Sequence, residues 1–195
     1  AVSTSGEQVS GKIVFNISAT AGSSYFYDMG GHTWAATAVD YLYQNKVTNG
    51  VTNTAFGPDQ NILRGDFVLM LMRAFGFSAG NGYSFADVPT NSYYAQAIAT
   101  AKTLGIVNGD GVNFMPNDPL TRQDAMVIIR NTLNSAGHNV GSGVVDLSRF
   151  PDNGAIADYA RTAVGALVQM GAVNGDERGM LCPWDFITRV EAAVI

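Results

Sequence analysis

A chain of 195 residues with 47% hydrophobic and 14% charged side chains has the composition of a globular protein, which excludes wholesale disorder. Its formal charge of −5 provides no basic surface for a nucleic acid, and no apolar run approaches the ~20 residues of a membrane span. We therefore expect neither nucleic-acid binding nor membrane insertion, and any anionic ligand must be captured by local positive charge.

Residues 1–24 differ in composition from the rest of the chain. Ser-, Gly- and Thr-rich flanks surround residues 12–17, whose β-branched and aromatic side chains predict one short strand. A single strand is not stable without a partner. It is either the end of an upstream domain, followed by a linker at residues 19–24, or an edge strand lying on the rest of the protein. We favour the first interpretation.

From residue 25 onward, one pattern occurs three times. Each copy has an aspartate, then a tryptophan or tyrosine that opens an amphipathic run, and then an Asn-Gly pair. A proline follows, with an arginine six residues after it, an acidic residue two residues after the arginine, and an apolar run. Repetition at nearly fixed spacing indicates three units of one supersecondary structure that share a core.

The first copy predicts two helices. Thr33 is a candidate cap for a helix that begins at Trp34, and Asn49-Gly50, a pair that tolerates positive φ, is expected to end it. The next helix begins near Leu63 and is apolar on nearly every side over residues 67–72, so it must be buried.

The other copies repeat this apolar helix at residues 125–129 and 192–195. Three such helices cannot each be buried alone, so we expect them to pack together as the shared centre of a pseudo-threefold bundle. The predicted fold class is all-α in the main, with three helix-loop-helix repeats in one compact domain and a short N-terminal strand or linker segment.

The pattern resembles the S-layer homology (SLH) module. In the second copy, the matching residues are Phe-Ala-Asp at 85–87, Leu-Gly-Ile-Val-Asn-Gly at 104–109, Phe-Met-Pro at 114–116 and Leu-Thr-Arg-Gln-Asp at 120–124, with counterparts in the other copies. The resemblance covers residues 25 to 195 and implies repeats at residues 25–80, 81–145 and 146–195, preceded by the upstream or linker segment at 1–24.

SLH modules commonly occur as three tandem copies in exported proteins of Gram-positive-type bacteria. The resemblance implies an extracellular, non-catalytic anchor at the cell surface, which binds secondary cell-wall polysaccharide through a pyruvylated amino sugar and needs no cofactor. The alternative is a protein-interaction module that contacts neighbouring chains of a surface-layer lattice. An enzyme or a metal site is disfavoured, because His32 and His138 lie in different copies without catalytic or metal-ligand spacing.

The arginine of each copy has two interpretations. Thr121 and Thr188 have the spacing of helix caps to the acids three residues later, which makes each arginine the first helical residue. A cation is unfavourable at that end of the helix dipole. A compensating anion is therefore expected, either a ligand held by the arginine and free first-turn N–H groups or an internal salt bridge to the aspartate of a copy.

The aromatics, glycines and aspartates also have two interpretations each. The aromatics are core residues or platforms for a sugar face, the aspartates cap a local helix or accept bonds from sugar hydroxyls, and the glycines form turns or let a ligand approach the backbone. In the first copy, Leu63 and Gly65 depart from the motif and put its cap and cleft in doubt. The candidate ligand-binding residues are Arg64, Arg122, Arg189, Asp28, Asp87, Asp152, Trp34, Tyr93, Tyr159, Gly50, Gly109 and Gly175, with Arg122 and Arg189 favoured over Arg64; no catalytic or metal-binding residue is predicted.

Overall fold

The structure, a computed structural model, describes residues 22–78, 84–141 and 143–195. The strand predicted over residues 12–17 lies outside the described residues. The described part is mainly helical, which confirms the predicted fold class. Its α-helices are α1 (Ala36–Gln44), α2 (Arg64–Ala74), α3 (Ala95–Thr103), α4 (Arg122–Ser135), α5 (Asp158–Gln169) and α6 (Arg189–Val194). None of these helices is long and apolar enough to cross a bilayer.

Each repeat supplies a first helix (α1, α3 or α5) and a second helix that starts at its arginine (α2, α4 or α6). The second helix of each repeat packs most extensively against the first helix of the next repeat, and the third repeat packs against the first. The pairs are α2 with α3, α4 with α5 and α6 with α1. Helices α2 and α4 also contact each other, but the second helices do not form the shared centre that their apolar character predicted.

The centre is instead a ring of three loop residues, Ile62, Leu120 and Ile187, none of which has exposed surface. Ile62 N–H donates to the Ile187 backbone oxygen, Ile187 N–H to that of Leu120, and Leu120 N–H to that of Ile62. The N···O distance is 3.0 Å in each case. Because three equivalent residues close this ring, the pseudo-threefold axis passes through it. The ring satisfies buried backbone groups that would otherwise lack partners, and it aligns the three repeats.

The second helices begin where the sequence predicts. The Thr121 side chain accepts a hydrogen bond from the third residue of α4, and Thr188 and Glu191 form a complete capping box at α6. Leu63 has no side-chain acceptor and therefore provides no side-chain cap, yet α2 forms. At Gly65, a Cβ atom would lie 3.1 Å from both the Pro116 oxygen and the Tyr94 ring, so glycine lets α2 approach the second repeat closely.

The first helix of repeat 1 differs from the prediction at both ends. Thr33–Ala35 forms a 3₁₀ turn in which Thr33 accepts the N–H of Ala36 through its backbone oxygen, so α1 begins two residues after Trp34. The helix ends at Gln44, and the residue with positive φ that follows it is Lys46, at 59°. Gly105 and Gly171 occupy this position in the other repeats, with φ of 69° and 75°. The Asn-Gly pairs therefore do not end the helices.

The glycines of the Asn-Gly pairs are required by packing within their own repeats. A Cβ atom on Gly50 would lie 2.4 Å from the Ala55 oxygen, and one on Gly109 would lie 2.0 Å from the Asn113 oxygen. Both glycines also have positive φ, 75° and 56°. A side chain at either position would therefore collide with the following loop, whether or not a ligand is bound.

Candidate functional site

The three arginines make equivalent contacts with the next repeat. In each, Nε donates to the backbone carbonyl two residues before the proline of the pattern, and Nη1 approaches the acidic residue of the next Arg-x-acid motif. The carbonyls accepting from Arg64, Arg122 and Arg189 belong to Phe114, Leu181 and Phe56, at 3.1, 3.1 and 2.8 Å. The corresponding acids are Asp124, Glu191 and Asp66, at 2.9, 3.1 and 3.6 Å.

These contacts explain how a cation is retained at the positive end of each second helix. The guanidinium extends away from its own helix and is compensated by a carbonyl oxygen and a carboxylate of the next repeat. The predicted internal salt bridges to Asp28, Asp87 or Asp152 are wrong, because the carboxylates that pair with the arginines belong to the second helices.

The N–H groups of the first helical turn are also occupied. Arg64 N–H donates to the Asp118 oxygen at 3.0 Å, and Gly65 N–H donates to the Pro116 oxygen at 2.8 Å. The first two residues of α4 and α6 donate in the same way to the next repeat. The expectation that these N–H groups are free to bind an anion is therefore wrong. At this end of the helix, the guanidinium is the remaining group that can donate hydrogen bonds to an anion.

The aspartates of the pattern hold the loop that precedes each proline. Both oxygens of Asp87 accept backbone N–H groups, from Phe114 at 2.8 Å and from Met115 at 2.7 Å. Asp28 and Asp152 do the same for their own repeats. Their partners lie 27 to 30 residues further along the chain, so the local-capping interpretation is wrong. The carboxylates connect the two halves of each repeat.

The aromatics at the start of the first helices are on the surface. Trp34, Tyr93 and Tyr159 are 55, 66 and 61% exposed, so the interpretation of these three as core residues is wrong. The Tyr93 hydroxyl donates to Asp66 at 2.6 Å, and the Tyr159 hydroxyl donates to Asp124 at 2.7 Å. Partial desolvation, together with the hydrogen bond to a carboxylate, raises the pKa of both phenols above the ordinary value. Both rings are thus held in place by their hydroxyls.

Two cavities bring these elements together, each with residues from all three repeats. Cleft A has a volume of about 490 Å³, and its lining includes Gly50, Asp66, Arg73, Tyr93 and Arg189. Cleft B has a volume of about 190 Å³, and its lining includes Arg64, Gly109, Asp124, Asn131 and Tyr159. In both clefts, the arginine comes from one repeat, the glycine and the acid from the next, and the aromatic from the one after that.

The remaining candidates are arranged differently. Arg122 pairs with Glu191, while Trp34 lines a separate, mainly apolar cavity of about 460 Å³ between α1 and residues 193–195. Asp28 lines a cavity of about 330 Å³ formed with residues 57–60 of its own repeat, away from cleft A. The structure therefore unites the predicted arginine, aromatic and glycine in clefts A and B, with Asp66 or Asp124 as the acid in place of the predicted aspartates.

Buried surroundings distinguish Arg189 from the other arginines. Its exposed fraction is 6%, and its guanidinium lies 5.1 Å from the centre of the Phe56 ring. Desolvation lowers the pKa of Arg189, against the opposing effect of Asp66. The group remains a cation, since an arginine pKa starts far above neutral pH. A buried cation of this kind is unfavourable unless an anion lies beside it.

Three charged residues that line the clefts, Asp66, Asp124 and Arg73, were not predicted as ligand-binding residues. Their positions do carry a signal. Residues 66, 69, 70 and 73 of α2 have the spacing i, i+3, i+4, i+7, which places them on one face, and all four line cleft A. Residues 124, 127, 128 and 131 of α4 have the same spacing and line cleft B. A search for polar residues at the first and last positions of this spacing would have found all three charged residues.

Comparison with known families agrees with this architecture. The family described as the S-layer homology domain matches residues 25–68, 84–126 and 149–193, which together cover more than half of the chain. This chain therefore belongs to the S-layer homology domain family. It is a cell-surface anchoring module, extracellular and associated with the cell wall.

Segments similar to this chain occur in proteins that are named as enzymes and in a protein that is named as a surface-layer protein. Exoglucanase XynX of Acetivibrio thermocellus is 31% identical over 168 residues, covering 83% of this chain and 15% of the relative. An amylopullulanase of Thermoanaerobacterium thermosulfurigenes is 32% identical over 168 residues, covering 83% and 9%. A surface-layer 125 kDa protein of Lysinibacillus sphaericus is 30% identical over 166 residues, covering 83% and 14%. The chain thus spans a small part of the length of these relatives.

Proposed function

We propose that this chain is a non-catalytic anchor that binds secondary cell-wall polysaccharide through an acidic sugar, a pyruvylated amino sugar, in clefts A and B. The observation that carries the proposal is the meeting of a guanidinium and an exposed aromatic ring, contributed by different repeats, in one cavity. Relatives named as two different polysaccharide-degrading enzymes and as a surface-layer protein share this segment, which supports a common anchoring role.

The chemistry of a ketal-linked pyruvate fits these groups. Its carboxylate can accept charge-assisted hydrogen bonds from an arginine, each worth about 1.5–3 kcal/mol in a partly dry site. The sugar ring presents a C–H face that can lie on Tyr93 or Tyr159, whose rings are exposed. Because the chain carries a formal charge of −5, attraction of an anion has to come from these local arginines.

A repeating polymer adds a second contribution. Clefts A and B are both lined by residues of the same three repeats, so two sugars of the same polymer chain can bind together. The second binding event is then intramolecular, and weak individual clefts give firm attachment without additional contacts. In this way a small module can retain a much larger exported protein on the wall.

The test is sedimentation of the purified chain with cell-wall sacculi before and after acid stripping of the secondary polymer. We expect the chain to sediment with intact sacculi and to remain in solution with stripped ones. Binding that survives stripping would contradict polysaccharide recognition. It would instead support the alternative, a protein-interaction module in a surface-layer lattice, if the chain also binds surface-layer protein chains.

Tyr93 provides a matched pair of variants for the same assay. Tyr93→Ala removes the ring from cleft A and is expected to weaken binding to intact sacculi by about 1 kcal/mol, a factor of about five. Tyr93→Phe keeps the ring face and loses only the hydrogen bond to Asp66, so its binding should stay within a factor of two of the unaltered chain. Equal losses in both variants would show that the hydroxyl, and not the ring face, is the important group.

A further inference from the structure

The two clefts differ in charge. Cleft A contains two guanidinium groups, Arg73 and Arg189, against the single carboxylate of Asp66 among its lining residues. Cleft B contains the guanidinium of Arg64 against the carboxylate of Asp124, with the neutral Asn131 at the position that corresponds to Arg73. The formal charges of the lining residues therefore add up to one positive charge in cleft A and to zero in cleft B.

The ion pairs also differ in geometry. In cleft B, Arg64 Nη1 lies 2.9 Å from Asp124 Oδ2, a direct hydrogen bond. In cleft A, Arg189 Nη1 lies 3.6 Å from Asp66 Oδ2, beyond hydrogen-bond distance. The other oxygen of each acid accepts a tyrosine hydroxyl in both clefts, so the tyrosines do not cause this difference. A ligand carboxylate therefore meets an arginine that is already hydrogen-bonded to a carboxylate in cleft B, but not in cleft A.

Arg73 is positioned to take part in cleft A. It lies on the face of α2 that carries Asp66, two turns further on, and it is exposed. Its Nη1 donates to the Val47 oxygen at 3.4 Å, and Val47 lines the same cleft. A cation in the last turn of a helix is favourable on its own account. That explains why Arg73 is tolerated, but not why a second guanidinium faces a cavity that already contains one.

Resting on the proposed function, we infer that cleft A is the cleft that binds the carboxylate of the sugar, and that Arg73 is the residue that determines this preference. Arg189 and Arg73 hold the carboxylate from two sides, and Tyr93 supports the sugar ring. Cleft B is smaller and neutral, and it binds the same polymer chiefly through the ring face of Tyr159 and neutral polar groups.

The probe for this inference is a methyl N-acetylhexosaminide with a ketal-linked pyruvate, paired with its methyl ester, which has the same shape without the charge. Affinity is measured by calorimetry, and the ring resonances of Tyr93 and Tyr159 report the occupancy of clefts A and B by NMR. We expect the acid to shift the Tyr93 resonances at about tenfold lower concentration than those of Tyr159, and the ester to show no such preference.

The matched variants exchange the one corresponding pair of lining residues that differs in charge, Arg73 in cleft A and Asn131 in cleft B. Arg73→Asn gives cleft A the residue of cleft B, and we expect it to lower the affinity of the acid for cleft A about tenfold while leaving the ester and the melting temperature unchanged. Asn131→Arg is expected to raise the affinity of the acid for cleft B. Arg73 is exposed on α2 and Asn131 is half-exposed on α4, so neither exchange should unfold the domain.

The outcomes separate the two proposals. If the acid binds but saturates both clefts at the same concentration, or if Arg73→Asn leaves its affinity unchanged, the inference about cleft A is overturned and the anchoring proposal stands. If neither acid nor ester binds either cleft, while intact sacculi still bind the chain, recognition of a pyruvylated sugar is overturned together with the inference. If stripped sacculi bind as well as intact ones, anchoring through the polysaccharide itself is overturned.

Discussion

Replacing Asp87 with alanine is expected to lower the free energy of unfolding by about 3 kcal/mol, measured by urea denaturation followed by circular dichroism. The reason is that both carboxylate oxygens accept backbone N–H groups, from Phe114 and Met115. Each such bond to a charged group contributes about 1.5–3 kcal/mol, and its loss leaves a backbone donor without a partner in a half-buried loop. Asp28→Ala and Asp152→Ala should have losses of similar size, because the same geometry occurs in all three repeats.

Asp118→Ala is the control for this experiment. It removes the same charge from the same repeat, but Asp118 is exposed, and its backbone oxygen still accepts the N–H of Arg64 after the change. We expect a loss within about 0.5 kcal/mol for this variant. Similar stabilities for the two variants would show that Asp87 does not hold the loop. A direct role of this carboxylate toward sugar hydroxyls would then be the better explanation of its recurrence in the pattern.

The recurrence of short motifs made the repeat architecture predictable. The caps at Thr121 and Thr188 were readable because their partners lie three residues away on the same helix. The same holds for the start of each second helix. Information of this kind is local, so a single repeat carries it, and three copies confirm it by repetition.

The partners of the arginines were not readable in this way. Arg64 and Asp124 are 60 residues apart, and Arg122 and Glu191 are 69 apart. Each repeat contains several acids, and spacing within a repeat does not tell which acid of which copy is reached. The aspartates of the pattern were plausible partners, but they are used by backbone N–H groups of their own repeat. Only the cyclic packing of second helices against following repeats decides between these pairings.

Helical spacing also misplaced the aromatics and the centre of the fold. Trp34, Tyr93 and Tyr159 lie within two residues of the starts of the first helices, and all three are exposed, so an apolar ring at a helix start need not be buried. The second helices are apolar on most sides because they contact both the next repeat and the loops around them. The axis itself is occupied by a backbone ring to which each loop contributes one aliphatic residue, and a single aliphatic residue in a loop gives no distinctive sequence signal.

The cyclic arrangement depends on a closing contact between the third repeat and the first. Arg189 makes this contact across 133 residues of chain, donating from Nε to the Phe56 oxygen at 2.8 Å. Its guanidinium also lies over the Phe56 ring and faces Asp66. The equivalent arginines join neighbouring repeats along the chain, and their side chains are more exposed, at 15 and 17% against 7%. Among the three arginines, Arg189 therefore has the most buried side chain and makes the contact between the residues furthest apart in sequence.

Arg189→Ala is consequently expected to lower the free energy of unfolding by about 3–5 kcal/mol, more than Arg64→Ala or Arg122→Ala, in urea denaturation experiments. Removal of one partner of a buried pair leaves the other uncompensated, and here it also leaves the Phe56 carbonyl without its donor. Arg161→Ala is the control, since Arg161 is an exposed arginine on α5 and its loss should cost about 0.5 kcal/mol or less. A double variant, Arg189→Met with Asp66→Asn, should recover part of the loss because it removes the unpaired acid.

The same reasoning separates stability from ligand binding at cleft A. Because Arg189 supports the fold, weaker binding in Arg189→Ala cannot by itself be assigned to a lost ligand contact, whereas Arg73 contributes its charge to the cleft without closing the ring of repeats. If Arg189→Ala proves as stable as Arg161→Ala, the first and third repeats are held together by the Ile62–Leu120–Ile187 ring and helix packing alone. Arg189 would then be available to a ligand at no cost to the fold.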